Sequence, residues 1–329
     1  MSIRPIGKAE LQRFVAFSGD DAENERFGAD VDRALRANET SLRWCLIATD
    51  GEATIGRAFL LHRVGNPVFI HLFDVDWSQP DWRVVGSALI RAIIGAVQES
   101  DERTLLYALD SPHPWHPEPE RRSELFTAAG FRRVRVGQRW ERRIDPSSSS
   151  ETASRLEFRT LADVGEDAFR GAIASVSDGT LDGRLQEMRR RLGRAGDADE
   201  HFRLLMGMRH EPDWWHLAYA GDGVLVGLVV SGGNRHEPVI AYVGVVPEQR
   251  GHGYVDDLLA QAVATLTAAG ASVIRADTDV ANVPMADAFR RAGFEPFLAR
   301  TEYIHESVTG HAAAHSDRHG QAGKRRPDR

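Results

Sequence analysis

Apolar positions along the chain form short runs typical of strands and longer runs of helical period, in an order that occurs twice. Each copy has two apolar strands joined by a short Gly/Asp turn, in the segments WCLIATDGEATIGRAFLL and WHLAYAGDGVLVGLVV. This pattern predicts a β-hairpin. A tryptophan precedes a glycine by twelve positions in both segments, at Trp44 and Gly56 and again at Trp215 and Gly227. The repetition indicates a duplicated unit.

The segments that follow each hairpin continue the repeat. A third strand, PVFIHLFDV or PVIAYVGVV, leads into a helical pattern, a fourth strand and a second helix that ends in LFTAAGF or AFRRAGF. Amphipathic helices and a short strand precede the hairpin. The order within each copy is therefore strand, helices, three strands, helix, strand, helix, strand. This order predicts a mixed α/β fold, with a partly antiparallel sheet flanked by helices.

Two polar segments mark the boundaries of these copies. The serine-rich segment DPSSSSETASR separates them, and the chain after Glu306 has almost no large apolar side chains. Because neither segment can bury enough apolar surface to offset the entropy of ordering, we expect a linker and a disordered tail. The predicted division is an N-terminal domain at 1–145, a linker at 146–155, a C-terminal domain at 156–305 and a tail at 306–329.

The overall charge is acidic, with 41 basic and 48 acidic residues and a net charge of −7 among 329 residues. This balance offers no general attraction for nucleic acid or for an anionic membrane surface. The single cysteine, Cys45, excludes an internal disulfide, and no apolar run approaches the roughly 20 residues of a membrane helix. We expect a cytoplasmic monomer or homodimer that binds neither nucleic acid nor membrane and holds no metal.

The loop after the third strand of the second copy carries the strongest chemical signal. In VIAYVGVVPEQRGHGYVDDLL, four residues stand between strand and helix: Arg250, Gly251, His252 and Gly253. Glycines let successive N–H groups point to one side, and the helix N-terminus adds positive partial charge, so the loop predicts a phosphate cradle. Arg250 offers a charge-assisted contact. A dinucleotide fingerprint needs a glycine where Asp256 stands, and a Walker loop needs Gly-Lys-Ser/Thr, which is absent.

This loop resembles motif A of the GNAT acyltransferases, in which Gln/Arg-x-x-Gly-x-Gly/Ala follows a Val-x-Pro strand end. The matching residues are Val245, Pro247, Arg250 and Gly253. Val255 departs from the final Gly/Ala, while Asn282 and the ending AFRRAGF follow as in the family. The resemblance covers residues 156–305 and, through the duplication, most of 1–145. The layout resembles tandem two-domain acyltransferases of the mycothiol synthase type.

The resemblance implies an N-acyltransferase that moves an acyl group from acetyl-CoA, or another acyl-CoA, to the amine of a small molecule by direct attack. It implies that the pyrophosphate binds the loop and that the pantetheine arm lies along the strand end. The predicted cofactor contacts are Val245, Val246, Arg250, Gly251, His252, Gly253, Tyr254, Val255 and Asn282. A catalytically silent acyl-CoA-binding or regulatory protein is the alternative.

The sequence offers few candidates for acid–base catalysis. The acceptor amine must lose a proton before it attacks, and a carboxylate acting through a water is an economical base. Glu237, just before the third strand of the second copy, is the acid nearest to the place where the family often keeps one, so the resemblance makes it the predicted catalytic base. His236 beside it is the alternative. The family often places a proton-donating tyrosine in the last helix, where this chain has Phe289. A phenyl ring has no proton to give, which leaves Tyr254 and Tyr303 as candidate substitutes.

The first copy lacks the features of the cradle. In the alignment of the two helices, Asp81 takes the place of Arg250 and Val84 that of Gly253. A carboxylate there would repel a pyrophosphate, and a valine removes the flexible turn. A second register, in which Arg83, Gly86 and Ala88 restore the motif, places Arg91 on the apolar face of the helix. We therefore expect the C-terminal domain to hold the cofactor.

Overall fold

The structure is a computed structural model that describes residues 1–62, 67–100, 104–113, 115–145, 154–233 and 238–306. The residues of the predicted linker from 146 to 153 and those of the predicted tail after Glu306 lie outside these ranges. Glu306 itself ends the last strand.

The N-terminal half has the predicted order of elements. Its strands are β1 (Ser2–Pro5), β2 (Cys45–Asp50), β3 (Ala53–Leu61), β4 (Val68–Val75), β5 (Thr104–Ser111) and β6 (Arg132–Arg143). Its α-helices are α1 (Leu11–Val15), α2 (Asp21–Arg36), α3 (Trp82–Gln98) and α4 (Pro119–Ala128).

The C-terminal half repeats that order. Its strands are β7 (Glu157–Thr160), β8 (Trp215–Tyr219), β9 (Leu225–Gly233), β10 (Pro238–Val245), β11 (Val273–Asp279) and β12 (Glu295–Glu306). Its α-helices are α5 (Leu161–Val164), α6 (Glu166–Val176), α7 (Gly183–Met206), α8 (Tyr254–Ala268) and α9 (Val283–Arg291). The predicted mixed α/β class and the duplication are confirmed.

In the described residues, twelve strands form one mixed sheet in the order β1-β2-β3-β4-β5-β12-β6-β11-β10-β9-β8-β7. The last strand of each half therefore pairs inside the other half. β6 is antiparallel to β11, with Trp140 opposite Ala276, and β12 is antiparallel to β5, with Tyr303 opposite Tyr107. The two exchanged strands also pair with each other at the centre of the sheet.

The cores follow this exchange of strands. Trp140 of β6 is buried in the C-terminal core, where its ring lies 5.8 Å from that of Phe289. Tyr303 of β12 is buried in the N-terminal core, 6.1 Å from the ring of Tyr107. Each half thus buries an aromatic side chain supplied by the other half.

The glycine repeated in the two hairpins has a steric origin. Gly227 of β9 lies opposite Val245 of β10, and an added Cβ at Gly227 would stand 2.2 Å from the carbonyl oxygen of Gly244. Gly56 of β3 has the equivalent place opposite Val75. Glycine lets the next strand approach closely at the point where the loop before α8 begins.

Two pairs of parallel strands separate along their length. β10 and β11 pair at Val239 and Arg275, the one pairing recorded between them in the described residues, although both strands run on. β4 and β5 pair at three positions, from Val68–Leu105 to Ile70–Tyr107. Each of β10 and β4 also carries a bulge, which skips Ala241 and His71 respectively. The sheet therefore opens at the carboxyl end of β10 and of β4.

Over the ranges given above, every helix falls short of the length and apolarity needed to span a bilayer.

Candidate functional site

A cleft of about 830 Å³ opens where β10 and β11 separate. Both strands line it, together with the α6–α7 loop and the loop that precedes α8. Residues from the exchanged strands β6 and β12 also line the cleft. Its walls therefore come from both halves of the chain.

The loop before α8 has the backbone geometry of an anion cradle. Gly251 and Gly253 have φ angles of +82° and +74°, and Gly253 caps the start of the helix. Among the described residues, the N–H groups of Gly251, His252 and Gly253 have no hydrogen-bond acceptor. The first N–H groups of a helix also lack intrahelical acceptors, and the helix dipole is positive at this end. An anion at this loop meets several free donors at once.

Arg250 positions this loop. Its guanidinium donates hydrogen bonds to the carbonyl oxygens of Val245 (3.1 Å), Val176 (3.0 Å) and Asp178 (2.7 Å). These contacts fasten the end of β10 to the loop after α6. Because the side chain already has carbonyl acceptors, its predicted contact with a cofactor phosphate stays a prediction.

Two aspartates stand in the first turn of α8, beside the cradle. Asp256 is paired with Arg291 at 2.8 Å, and Asp257 with Arg155, whose Nε lies 3.1 Å from the carboxylate. The negative charge of each of these two aspartates is thus offset by an arginine.

Arg155 belongs to the site although its sequence position, in the predicted linker, gave no signal of this. It donates to the carbonyl oxygens of His252 (3.2 Å) and Gly253 (3.1 Å), and its guanidinium lies 5.1 Å from the ring centre of Tyr254. The rings of His252 and Tyr254 stack at 5.7 Å. Arg155 therefore brings a second cation to the loop, and only the folded structure places it there.

The far wall of the cleft is formed by the start of α9. Asn282 caps this helix, with its Oδ1 accepting from the N–H of Met285 at 3.3 Å, and it lines the cleft. Phe289 also lines the cleft but is buried against Trp140 and Phe294. The phenyl ring is part of the core.

The two substitute tyrosines proposed from the sequence lie in different places. Tyr254 lines the cleft at its phosphate end, at the start of α8. Tyr303 is buried in the N-terminal core, where its hydroxyl donates to Ser123 at 2.8 Å. That location removes Tyr303 from the candidates, because a strand exchange that the sequence does not reveal carries it into the other half.

A third tyrosine, which sequence reasoning missed, lines the cleft from β10. The hydroxyl of Tyr242 lies 3.0 Å from that of Ser177, and its ring is 4.3 Å from the ring of His201. Burial raises the pKa of Tyr242 to about 12, so the hydroxyl keeps its proton at neutral pH. Burial lowers the pKa of His201 to about 4, and its Nδ1 has no partner among the described residues. This imidazole is neutral at pH 7.

The predicted base, Glu237, and its neighbour His236 lie outside the described residues, directly before the start of β10. Their roles stay predictions.

The floor of the cleft is a network of charges on the central strands. Arg135 of β6 is nearly fully buried and pairs with Asp182 at 2.9 Å, with Glu302 at 3.0 Å and with Asp277. Arg300 of β12 donates twice to Asp110, at 2.6 Å each. The network joins β5, β12, β6 and β11 across the boundary between the two halves.

In the N-terminal half, a buried arginine lies between β4 and β5, and a smaller cleft of about 650 Å³ remains beside the carboxyl end of β4. The guanidinium of Arg122, which is fully buried, donates to the carbonyl oxygen of Phe73, to Asp74 at 2.9 Å and to the carbonyl oxygen of Pro117 at 2.6 Å. Phe73 and Asp74 belong to β4, so the arginine occupies the gap between β4 and β5. No equivalent side chain fills the described part of the gap between β10 and β11.

The loop before α3 fits neither of the two alignments with the cradle that the sequence allows. The helix is capped by Asp81, which takes the place of Gly253, while Val84 lies exposed in the first turn. Gly86 lies inside the helix against α4, where an added Cβ would stand 2.5 Å from Leu125. The glycine of the second register therefore serves helix packing, and neither register gives a glycine cradle.

No group of three or more His, Cys, Asp or Glu side chains in the described part of the chain could hold a metal ion.

Comparison with known proteins agrees with this geometry. Residues 184–294 match the model of the acetyltransferase (GNAT) family. This segment runs from α7 to the end of α9 and includes the whole cradle. A search of curated proteins finds no match to the chain.

Solved structures extend the likeness of fold to both halves. A GCN5-related N-acetyltransferase from Sphaerobacter thermophilus is 18% identical, with a TM-score of 0.62 over 93% of this chain and 95% of that one. The glucosamine N-acetyltransferase region of a fungal multi-domain GH3 beta-N-acetylglucosaminidase is 13% identical, with a TM-score of 0.55 over 92% of this chain and 38% of that one. At these identities the likeness concerns the fold.

Proposed function

We propose that this chain, which carries a domain of the acetyltransferase (GNAT) family at residues 184–294, transfers an acyl group from acetyl-CoA, or another acyl-CoA, to the amine of a small molecule. The observation that carries the proposal is the continuity of the site. The anion cradle before α8 opens directly into the cleft between β10 and β11. One elongated ligand can therefore place a pyrophosphate on the loop and a narrow arm along β10.

The proposed contacts follow the shape of acetyl-CoA. The N–H groups of Gly251, His252 and Gly253 bind the pyrophosphate, and the backbone at Val245 and Val246 takes the pantetheine amides. Tyr254, Val255 and Asn282 flank the arm, and Arg155, through its ion pair with Asp257, reduces the repulsion between that carboxylate and the phosphates. GNAT proteins in general use acetyl-CoA, which fits this arrangement.

The proposed reaction is a direct transfer. The amine nitrogen attacks the thioester carbonyl carbon, the C–N bond forms, the C–S bond breaks and sulfur leaves with the bonding electron pair. The amine loses one proton and the thiolate gains one, so the step needs no further reactant. Holding the two substrates side by side supplies a large part of the acceleration. Glu237, acting through a water, remains the proposed base for the amine.

Tyr242 is the proposed partner of the reacting groups on the α6–α7 side of the cleft. Its hydroxyl stays protonated at neutral pH, because burial raises its pKa to about 12. It can donate a hydrogen bond or a proton where negative charge develops. Phe289 has no such proton, which is the observation that favours the second candidate, a silent acyl-CoA-binding protein.

Calorimetry with acetyl-CoA followed by a thiol-release assay over a panel of small amines separates the two candidates. Binding of one acetyl-CoA per chain with turnover of at least one amine supports the transferase. Binding without turnover over a broad panel supports the silent protein, and absence of acyl-CoA binding contradicts both.

A pair of variants tests the cradle itself. Gly253→Asp places a carboxylate beside the bound pyrophosphate and is expected to weaken acetyl-CoA binding at least about tenfold, which is about 1.4 kcal/mol. Gly253→Asn has the same size and the same tolerance for a positive φ but no charge, and is expected to bind within a few-fold of the parent chain. Equal losses in both variants would show that charge at this loop does not govern binding.

A further inference from the structure

Arg139 of β6 is a cation without a partner in an otherwise paired network. It lines the cleft and lies opposite Asp277 in the register of β6 and β11. Arg135 and Arg300, on the same floor, are each held by carboxylates at 3.0 Å or less. Within the described ranges, no carboxylate oxygen lies within 4 Å of the Arg139 guanidinium, and no hydrogen bond from it is found. A half-buried guanidinium is thus left with all its donors free.

Its surroundings hold the side chain in place without using those donors. The guanidinium lies over the ring of Phe297, 5.6 Å from the ring centre, and this contact uses none of its N–H donors. Burial, and next the neighbouring Arg300, lower the pKa of Arg139 from its ordinary value. The protein therefore pays part of the desolvation cost of this cation and supplies too little negative charge to offset it. An incoming anion would complete the site.

The position of Arg139 along the cleft separates it from the cradle. Asp277, opposite Arg139, lies two residues beyond the pairing of Arg275 with Val239, and is therefore level with Ala241. Val245, where the phosphate loop begins, is four residues further along β10, or about 13 Å at the usual rise. The pyrophosphate cannot occupy both places. The anion at Arg139 must come from the other end of the cofactor or from the acceptor.

We propose that Arg139 binds an anionic group of the acceptor, so that the acceptor is an amine that also carries a carboxylate or a phosphate. A planar guanidinium with free donors suits either oxyanion, through two parallel hydrogen bonds. The inference rests on the proposed function, because it presumes that the pantetheine arm fills the cleft along β10.

The test measures equilibrium binding and turnover with the full chain loaded with CoA or acetyl-CoA. The probes are matched pairs: the common amino acids against their carboxamides, and phosphoethanolamine against ethanolamine. The first pair reports on carboxylates and the second on phosphates. Binding measurements give a result even where turnover is slow.

Arg139→Gln is compared with Arg143→Gln, a surface cation on the same strand. We expect Arg139→Gln to weaken the binding of the anionic amine and raise its KM about ten- to a hundredfold. The affinity for the matched neutral amine and for acetyl-CoA should change by less than a few-fold. Arg143→Gln should leave all of them unchanged. Arg139→Lys keeps the charge but loses the planar guanidinium, so its affinity for the anionic amine should lie between those of the parent chain and of Arg139→Gln. It replaces Arg139→Gln in the test if the glutamine variant does not fold.

The outcomes separate the two proposals. A chain that binds acetyl-CoA and acetylates neutral amines as well as anionic ones keeps the proposed function and overturns the inference. Equal effects of Arg139→Gln on both members of each pair, or no binding of any anionic amine, also overturn it. A preference for succinyl-CoA over acetyl-CoA that is lost in Arg139→Gln assigns the residue to the acyl group and likewise overturns it. A chain that binds no acyl-CoA contradicts the proposed function itself.

Discussion

Asp256 and Asp257 show how single residues reconcile helix stability with anion binding. Carboxylates in the first turn stabilise a helix by about 0.3–1 kcal/mol each through its dipole. Unpaired, the same charges would repel a phosphate at the cradle. Their pairing with Arg291 and Arg155 keeps the stabilisation of the helix and reduces the repulsion of a phosphate.

Tyr242 is the residue-scale test of the chemistry. Tyr242→Phe removes the hydroxyl that contacts Ser177 and keeps the ring against His201. If the hydroxyl meets charge that develops in the reaction, kcat should fall about ten- to a hundredfold while acetyl-CoA affinity stays within a few-fold. Because the hydroxyl stays protonated through the neutral range, the shape of the pH–rate profile should not change there. Steady-state kinetics and calorimetry measure both quantities.

Tyr219→Phe provides the matched control for that experiment. Tyr219 ends β8, outside the cleft lining, with Arg159 over its ring at 4.6 Å. Its loss of a hydroxyl should leave kcat unchanged. A Tyr242→Phe chain with parent kcat would remove this hydroxyl from the mechanism.

At the scale of single elements, agreement between sequence and structure depends on how local the cause is. The hairpins and α8 follow from Gly/Asp turns and from the Gly253 cap, which lie in the segments themselves. The alignment of the two helices predicts that Val84 is the counterpart of Gly253, but α3 begins after Asp81, so Asp81, three residues earlier, has that place. The roles of Arg122 and Arg155 depend on partners far along the chain, and no local pattern marks them.

The gap between β4 and β5 supplies the element-scale prediction. Arg122 and Asp74 form a buried pair, and burial raises the pKa of Asp74 even with the arginine beside it. Arg122→Met should remove the ion-pair partner of that carboxylate, with the more distant Arg57 left as its neighbouring cation, and lower the free energy of unfolding by about 3–5 kcal/mol. Adding Asp74→Asn to this variant should restore part of the loss. Urea unfolding of the three variants measures the coupling.

The control for this pair is Arg83, whose ion pair with Glu124 is exposed. Arg83→Met should change stability by less than about 1 kcal/mol. If Arg122→Met were as mild, the filled gap would not contribute to the stability of the N-terminal half.

At the scale of the whole molecule, the duplication predicted two units, and the exchange of last strands unites them. β6 and β12 have the same place in each repeat, so nothing in either segment indicates which half it pairs with. The choice is made by long-range pairing across the centre of the sheet. The charged floor of the cleft depends on this choice, since Arg135, Arg139 and Arg300 lie on the exchanged strands. The sequence could therefore predict the cradle but not the charged floor of the cleft.

This arrangement predicts that the halves depend on one another. A chain of residues 154–306 lacks β6, so the edge of β11 is unpaired and the core around Phe289 loses Trp140, whose truncation alone typically costs about 3–5 kcal/mol. Against a typical total of about 5–15 kcal/mol, this half should not fold or bind acetyl-CoA alone. Co-expression with residues 1–145 should restore a stable complex that binds acetyl-CoA.

A full chain cut at a protease site within 146–153 after folding should stay assembled and serves as the control. An isolated 154–306 chain with native circular dichroism and parent affinity for acetyl-CoA would contradict the exchange, because such a domain would have to complete its own sheet with β12.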